Sequence, residues 1–248
     1  MKNIKKLLNV FLAHNRHFFN ESNYLLLVSH MRSRSSLLSH IIGSHQNICG
    51  YCEIHGKYTN RINFLKSKIK ILSECGKPYH SDQILFDKVL HNHLKISPMA
   101  VEKRRSRIIF MVREPISTIK SIAYMYNKSP SSSDINNAAK YYTNRLEEIR
   151  KIYLQLPKEL CYFVNSENLI TNPEKELYNL SNWLKLNTPL SKDYDLFNNS
   201  GKPGFGDSSE NILTGKIVQT IDKELPISED IKHAVQRSYQ QYNDLISQ

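Results

Sequence analysis

The chain is poor in cysteine and glycine and has no long apolar run. Four cysteines (Cys49, Cys52, Cys75 and Cys161) in 248 residues do not make a disulfide framework, and a reducing compartment is the simpler expectation. Cys49 and Cys52, in "CGYC", have the spacing of a redox or zinc motif. A closed zinc site needs a second pair, and Cys75 and Cys161 stand alone. A thioredoxin-type dithiol opens the helix after a first strand, whereas this pair follows that helix. No window of about 20 apolar residues exists, so nothing is expected to span a membrane. Acidic residues are the minority: 34 Lys and Arg against 23 Asp and Glu leave a formal charge of +11. That excess implies an anionic partner, which composition alone leaves open among nucleic acid, a membrane surface, a phosphorylated cofactor and an acidic glycan.

The first residues, "MKNIKKLLNVFLAHNRHFF", put basic residues before a short apolar run. Lys, Asn, His and Arg interrupt that run and no small-residue cleavage site comes after it, which argues against a signal peptide. Ile4, Leu7, Leu8, Phe11, Leu12, Phe18 and Phe19 share one face at helical spacing. Residues 1–20 are therefore expected to form an amphipathic helix, packed on the domain or touching a membrane surface through residues 1–19. With neither anchor nor signal, the expected location is the cytoplasm.

From residue 24 onward, strand and helix patterns alternate. Short apolar runs at 24–29, 83–86, 107–112 and 160–165 have the character of strands buried in a parallel sheet. Helical patterns lie near 35–43, 58–73, 116–127 and 134–155, the last behind a serine-rich cap. "NPEKELYNLSNWLKL" opens on a first-turn proline and is helical, as is the end of the chain, "ISEDIKHAVQRSYQQYNDLI". No linker separates domains, so residues 1–248 are expected to form one α/β domain in three layers, with a central, mostly parallel sheet.

The most informative stretch is "YLLLVSHMRSRSSLLSHIIGSH", residues 24–45, where a buried strand feeds a loop with two arginines and three serines and then a helix. A strand-to-helix loop offers backbone N–H groups and the positive end of the helix dipole to an anion. It matches an ATP or GTP loop poorly: G-x-x-x-x-G-K-[ST] is absent, the loop has no glycine, and no lysine precedes Ser35. No predicted strand ends in an acidic residue that would hold magnesium. The anion is expected to have phosphate-like geometry and to need no metal.

"RSRSSLL" after a strand, then "HQNICGYCE", then "RIIFMVREPISTIKSI" resembles the sulfotransferases that use 3′-phosphoadenosine 5′-phosphosulfate (PAPS), and is closest in motif to the carbohydrate and tyrosyl-protein types. The resemblance implies their P-loop-like fold. It implies that Arg32, Ser33, Arg34, Ser35, Ser36 and Leu37 hold the 5′-phosphosulfate, with Arg32 beside the bridging oxygen where charge develops. Arg113, and Ser121 eight residues on, would hold the 3′-phosphate. "GKPGFGD" (201–207) resembles the family's late cofactor loop and adds Lys202, Gly204 and Gly206. Where the family usually has glycine, this chain has Arg34, a departure that bears on the backbone if the position needs positive φ; the side chain is also placed to reach the sulfate or the substrate.

The resemblance further implies a base for the acceptor hydroxyl. Glu53, twenty-one residues after Arg32, matches a glutamate of the tyrosyl-protein and some carbohydrate enzymes. Lys88, His91 and His93, with His55, are competing catalytic groups or substrate contacts. The expected partners are the nucleotide and a hydroxyl acceptor, for which fourteen tyrosines and a basic balance favour a carbohydrate or lipid-linked sugar; neither metal nor nucleic acid is expected. Two rivals stand beside this reading: a magnesium-dependent phosphotransferase of related fold, and a non-catalytic polyanion binder whose affinity falls steeply with salt.

Overall fold

The computed structural model describes residues 22–75, 79–80, 82–202, 206, 209–219 and 223–246. The expected helix at 1–20 and Gly204 lie outside the described residues.

Five strands form one sheet: β1 (Tyr24–Ser29), β2 (Ile48–Cys49), β3 (Ile84–Val89), β4 (Arg107–Val112) and β5 (Cys161–Asn165). Their order is β2-β3-β1-β4-β5, and every pairing is parallel. Parallel neighbours need crossovers, and helices supply them: α1 (Ser35–Ser44), α2 (Arg61–Cys75), α3 (Pro98–Lys103), α4 (Pro115–Tyr126), α5 (Ser132–Leu154), α6 (Asn168–Thr171), α7 (Pro173–Leu184) and α8 (Glu229–Ile246). Side chains alternate across the sheet, so Leu25 and Leu27 pack with α1 and α7, while Leu26 and Val28 pack with α2, α4, α5 and α8. This gives the expected three layers. From β1 the chain crosses outward to β2 and β3 and later to β4 on the other side. The loops after β1, β3 and β4 therefore meet at one edge, where open α/β sheets bind ligands.

Local chemistry fixes the helix starts that matter. Pro115 opens α4, and the Glu114 carboxylate accepts hydrogen bonds from Ile116 N and Ser117 N. Ser131 and Asp134 form a capping box at the start of α5. Two expectations need correction. The run at 83–86 ends too early, because β3 continues through Asp87, Lys88 and Val89. Asp87 is buried at no cost in unmet hydrogen bonds: it accepts from Tyr58 Oη (2.7 Å), Ile54 N (3.0 Å) and Lys88 N (2.7 Å). A strand does therefore carry an acid near its end, but protein donors occupy it. The helix placed near 58–73 begins only at Arg61, since Tyr58 pairs with Ile96 in an extended bridge.

The Cys-Gly-Tyr-Cys segment is a packed turn. Both thiols are buried, and burial pushes that of Cys52 up to about 12, far from a reactive thiolate. Gly50 sits at φ +120°, and a Cβ there would lie 2.1 Å from the carbonyl oxygen of Phe86 in β3. Gly50→Ala is expected to destabilise the fold by at least ~2 kcal/mol, read as a lower urea midpoint; an unchanged midpoint would show that β2 and β3 are not packed this tightly.

Candidate functional site

The β1 loop reverses without glycine. Arg32 (φ 61°) and Arg34 (φ 70°) both take the left-handed conformation, which costs a non-glycine residue on the order of 1 kcal/mol each. The loop delivers the chain to the N-terminus of α1, where Arg34 is the cap residue but its side chain does not cap. Arg32, Arg34, Ser35, Ser36 and Leu37 all line a cavity of about 700 Å³. Ser33 does not line it: its hydroxyl is fully buried, 2.7 Å from Ser29 Oγ.

Three cations from different elements meet at this loop. Arg32 Nε donates to Ser121 Oγ on α4 at 2.8 Å. Arg113, just beyond β4 and 6% exposed, donates from Nη1 to the carbonyl of Arg32 at 3.3 Å. Lys88 reaches over from β3, and its ammonium donates to Ser36 Oγ at 3.2 Å. The lysine missing from the loop is thus supplied by the neighbouring strand. Gly206 closes over the same place: with φ +126°, an added Cβ would lie 2.8 Å from Ser36 Oγ and 3.0 Å from Lys88 Nζ. Lys202 is exposed, 3.5 Å from Asn199 Oδ1, and stands outside the cavity lining.

Arg34 is directed elsewhere. Its Nη1 lies 2.8 Å from the Glu167 carboxylate and donates to Ser166 O (2.9 Å) and Ser166 Oγ (3.1 Å). The side chain ties the loop to the turn after β5. Those contacts hold the strained backbone in place.

Glu53 lies on the β3 side of the cavity. It is 8% exposed, and its Oε1 is buried without a hydrogen-bond partner. Burial raises its carboxyl above the ordinary glutamate value; the Lys88 charge, the Leu90 amide and the charges of Arg145 and His93 oppose that rise. His55 Nδ1 and His91 Nε2 lie 3.8 and 4.0 Å from Oε1. Burial chiefly, with the neighbouring charges, pushes His91 down to about 4, so at neutral pH it meets Glu53 as a neutral ring. His93 stacks on His91 with centroids 5.4 Å apart.

Sequence reasoning missed the residues that hold these loops together. His30 is fully buried and pushed down to about 3 by burial. It accepts from Arg113 N through Nε2 (3.0 Å), which leaves Nδ1–H to donate to Met31 O (2.8 Å). From α5, Tyr141 Oη accepts from Met31 N and donates to Leu90 O, both at 2.9 Å, and Tyr142 Oη donates to Arg113 O at 2.9 Å. Arg145, 1% exposed, donates to Ser29 O, Val89 O and Asn92 Oδ1. The signal was present: Tyr142, Arg145 and Ile149 share the apolar stripe of α5, and an arginine in that register must be partnered.

A model of the sulfotransferase family matches residues 61–189, more than half of the chain. The match takes in Lys88, Arg113 and Ser121 but begins after the β1 loop and Glu53. No curated protein matches by sequence. Among solved structures, the fold is similar to the sulfotransferase domain from the curacin biosynthetic pathway, at 17% identity and TM-score 0.55 over 90% of this chain and 98% of that one. It is similar to the sulfotransferase domain of the Synechococcus PCC 7002 olefin synthase, at 14% identity and TM-score 0.54 over 88% and 96%. Mouse sulfotransferase SULT7A1, solved with PAP, gives 11% identity and TM-score 0.53 over 94% and 87%.

The geometry of Arg34 separates its backbone from its side chain. Arg34→Ala loses the clamp and keeps the left-handed strain, whereas Arg34→Gly loses the clamp and removes the strain. The glycine variant is expected to be the more stable of the two by about 1 kcal/mol, measured by thermal unfolding; equal stabilities would show that the loop does not need positive φ.

Proposed function

The chain belongs to the sulfotransferase family, and from that premise we propose that it transfers the sulfuryl group of PAPS to a hydroxyl acceptor, a carbohydrate or glycolipid. The observation that carries the reading is the convergence of Arg32, Arg113, Ser36 and Ser121 on one cavity that the buried Glu53 carboxylate also lines, with Lys88 behind the lining and bonded to Ser36 Oγ. The donor set fits a nucleotide with two phosphate positions: cations and hydroxyls from three strand ends, a helix N-terminus, and Gly206 packed where a side chain would fill the cradle. When bound, the nucleotide supplies the sulfuryl group and departs as adenosine 3′,5′-bisphosphate (PAP).

The chain's own residues then divide the work. Arg113 offers a planar fork to the 3′-phosphate, with Ser121 as second donor. Arg32 and Lys88, with Ser36 and the first amides of α1, stabilise charge on the 5′-phosphate side as the sulfur–oxygen bond breaks. Glu53 takes the proton from the acceptor hydroxyl as its oxygen bonds to sulfur. Its raised pKa makes it a better base than an exposed glutamate. His55 and His91 flank Oε1 and orient the acceptor. Arg34 supports the loop through Glu167 and leaves direct contact to Arg32. The Asp87 carboxylate is engaged by three protein donors, which removes the acid on which a magnesium-dependent phosphotransferase would rely.

Calorimetric titration with PAP in EDTA tests the cofactor. Wild type is expected to bind, and Arg113→Ala to lose ~1.5–3 kcal/mol; binding that needs magnesium, or that is equal for ATP, would sink the reading. Glu53→Gln is expected to keep PAP affinity and to slow PAPS turnover by roughly a hundredfold or more. In wild type the rate should fall as pH drops through the raised Glu53 pKa, because only the carboxylate accepts the proton, so the acid limb should lie above the ordinary glutamate range. An undiminished rate in the variant would move the base elsewhere.

A further inference from the structure

Arg145 is the most deeply buried of the described arginines, at 1% exposure against 6% for Arg113, and it does not line the cavity. Its Nε donates to Ser29 O at 2.8 Å, its Nη2 to Val89 O at 2.7 Å and its Nη1 to Asn92 Oδ1 at 2.8 Å. Ser29 and Val89 are the last residues of β1 and β3, which are adjacent in the sheet. The loop bearing Arg32 leaves from one, and the segment bearing Leu90 and His91 leaves from the other. A single planar group therefore fixes the separation and direction of the two segments that carry the anion site and the flank of Glu53.

We propose that Arg145 is a positioning residue for sulfuryl transfer: its guanidinium locks the ends of β1 and β3 in register and so sets the anion loop against the segment that flanks Glu53. The inference rests on the sulfotransferase reading of the site. Geometry alone does not explain why the group is charged, since all three acceptors are neutral and burying a cation among neutral partners is costly. Two carboxylates act on the charge, Glu148 and then Glu53, and the charge in turn helps to hold the Glu53 carboxyl ionised. The other charged and titratable groups bearing on Glu53 are Lys88 from β3, His91 and His93 from the segment after β3, His55 from its own segment, the Tyr141 phenol from α5 and, with opposite sign, Asp87. Tyr141, one helical turn before Arg145, joins Met31 N to Leu90 O and so bridges the same two segments by a neutral route.

The test uses Arg145→Lys, Arg145→Met and Tyr141→Phe, each read by PAP titration and by ¹³C NMR titration of the glutamate carboxyls, with Glu53 assigned by the resonance lost in Glu53→Gln. Arg145→Met is expected to move the Glu53 midpoint upward, because a cation is lost. Arg145→Lys should keep the midpoint near wild type while PAP affinity falls about tenfold, because one ammonium cannot span three acceptors. Tyr141→Phe should weaken PAP comparably with the Glu53 midpoint unmoved, and it carries the positioning claim if Arg145→Met does not fold. Wild-type PAP affinity in Arg145→Lys and Tyr141→Phe would overturn the positioning role, and an unmoved Glu53 midpoint in folded Arg145→Met would overturn the electrostatic one. If wild type itself fails to bind PAP, the cofactor reading falls, while the Glu53 titration still decides whether Arg145 sets that carboxyl.

Discussion

Parallel strands end with their carbonyls at one edge of the sheet, and everything at this site depends on how those ends are paired once the ladder stops. In this protein the pairing comes from one helical stretch of α5, Tyr141 to Arg145. Arg145 takes the last carbonyls of β1 and β3, Tyr141 takes Met31 N and Leu90 O, and Tyr142 takes the carbonyl of Arg113 beyond β4. His30 adds the lateral link from the β1 loop to Arg113 N. Three loops that would otherwise be independent are thus fixed to a common helix. That helix is itself held by its capping box and by an apolar stripe in the core. Preorganised donors cost no rearrangement when an anion arrives.

The loop without glycine shows the same logic on a smaller scale. A turn from strand to helix with two left-handed residues favours glycine at both, yet arginine stands at each. The side chains offset the backbone cost in different ways. Arg34 is anchored outside the cavity on Ser166 and Glu167, and Arg32 is anchored within it on Ser121. The Glu167 carboxylate is nearly half exposed, at 47%, so that ion pair by itself contributes little. The part-buried hydrogen bonds to Ser166 give the clamp its geometry.

The layered α/β fold is legible in the sequence because the strands are apolar on both faces, as in "YLLLVS" and "RIIFMV". The strand-to-helix setting of the β1 loop and of Arg113 is legible because it is local, while the pairing of Arg113 with Ser121 comes from the family resemblance. Burial of charge stays hidden. Asp87 and Lys88 break the apolar pattern, so β3 reads too short, although both are buried with partners at long sequence separation. Arg145 reads as an ordinary helix residue because its acceptors lie 53 to 116 positions away. The two-residue β2 is too short for any periodicity. Ser33 reads like its neighbours, but a loop turning twice at positive φ must point some side chains inward, and Ser33 is one.

Opposed demands meet at Glu53. Stabilising a leaving phosphate requires cations, and every cation nearby makes a carboxylate a weaker base. Burial works the other way, since a charged carboxylate is poorly solvated in the interior and holds a proton more readily. In this cavity burial is the larger effect, and the charge of Lys88 is the strongest influence against it. Lys88 therefore belongs to both halves of the site: its ammonium donates to Ser36 in the anion loop, and its charge bears on the carboxylate. Its backbone is fixed within β3 and bonded to Asp87, so the lysine cannot drift toward either task. On the proposed reading, the basicity of Glu53 and the stabilisation of charge at the loop are set together, by the placement of one strand residue and by the helix that holds the end of that strand.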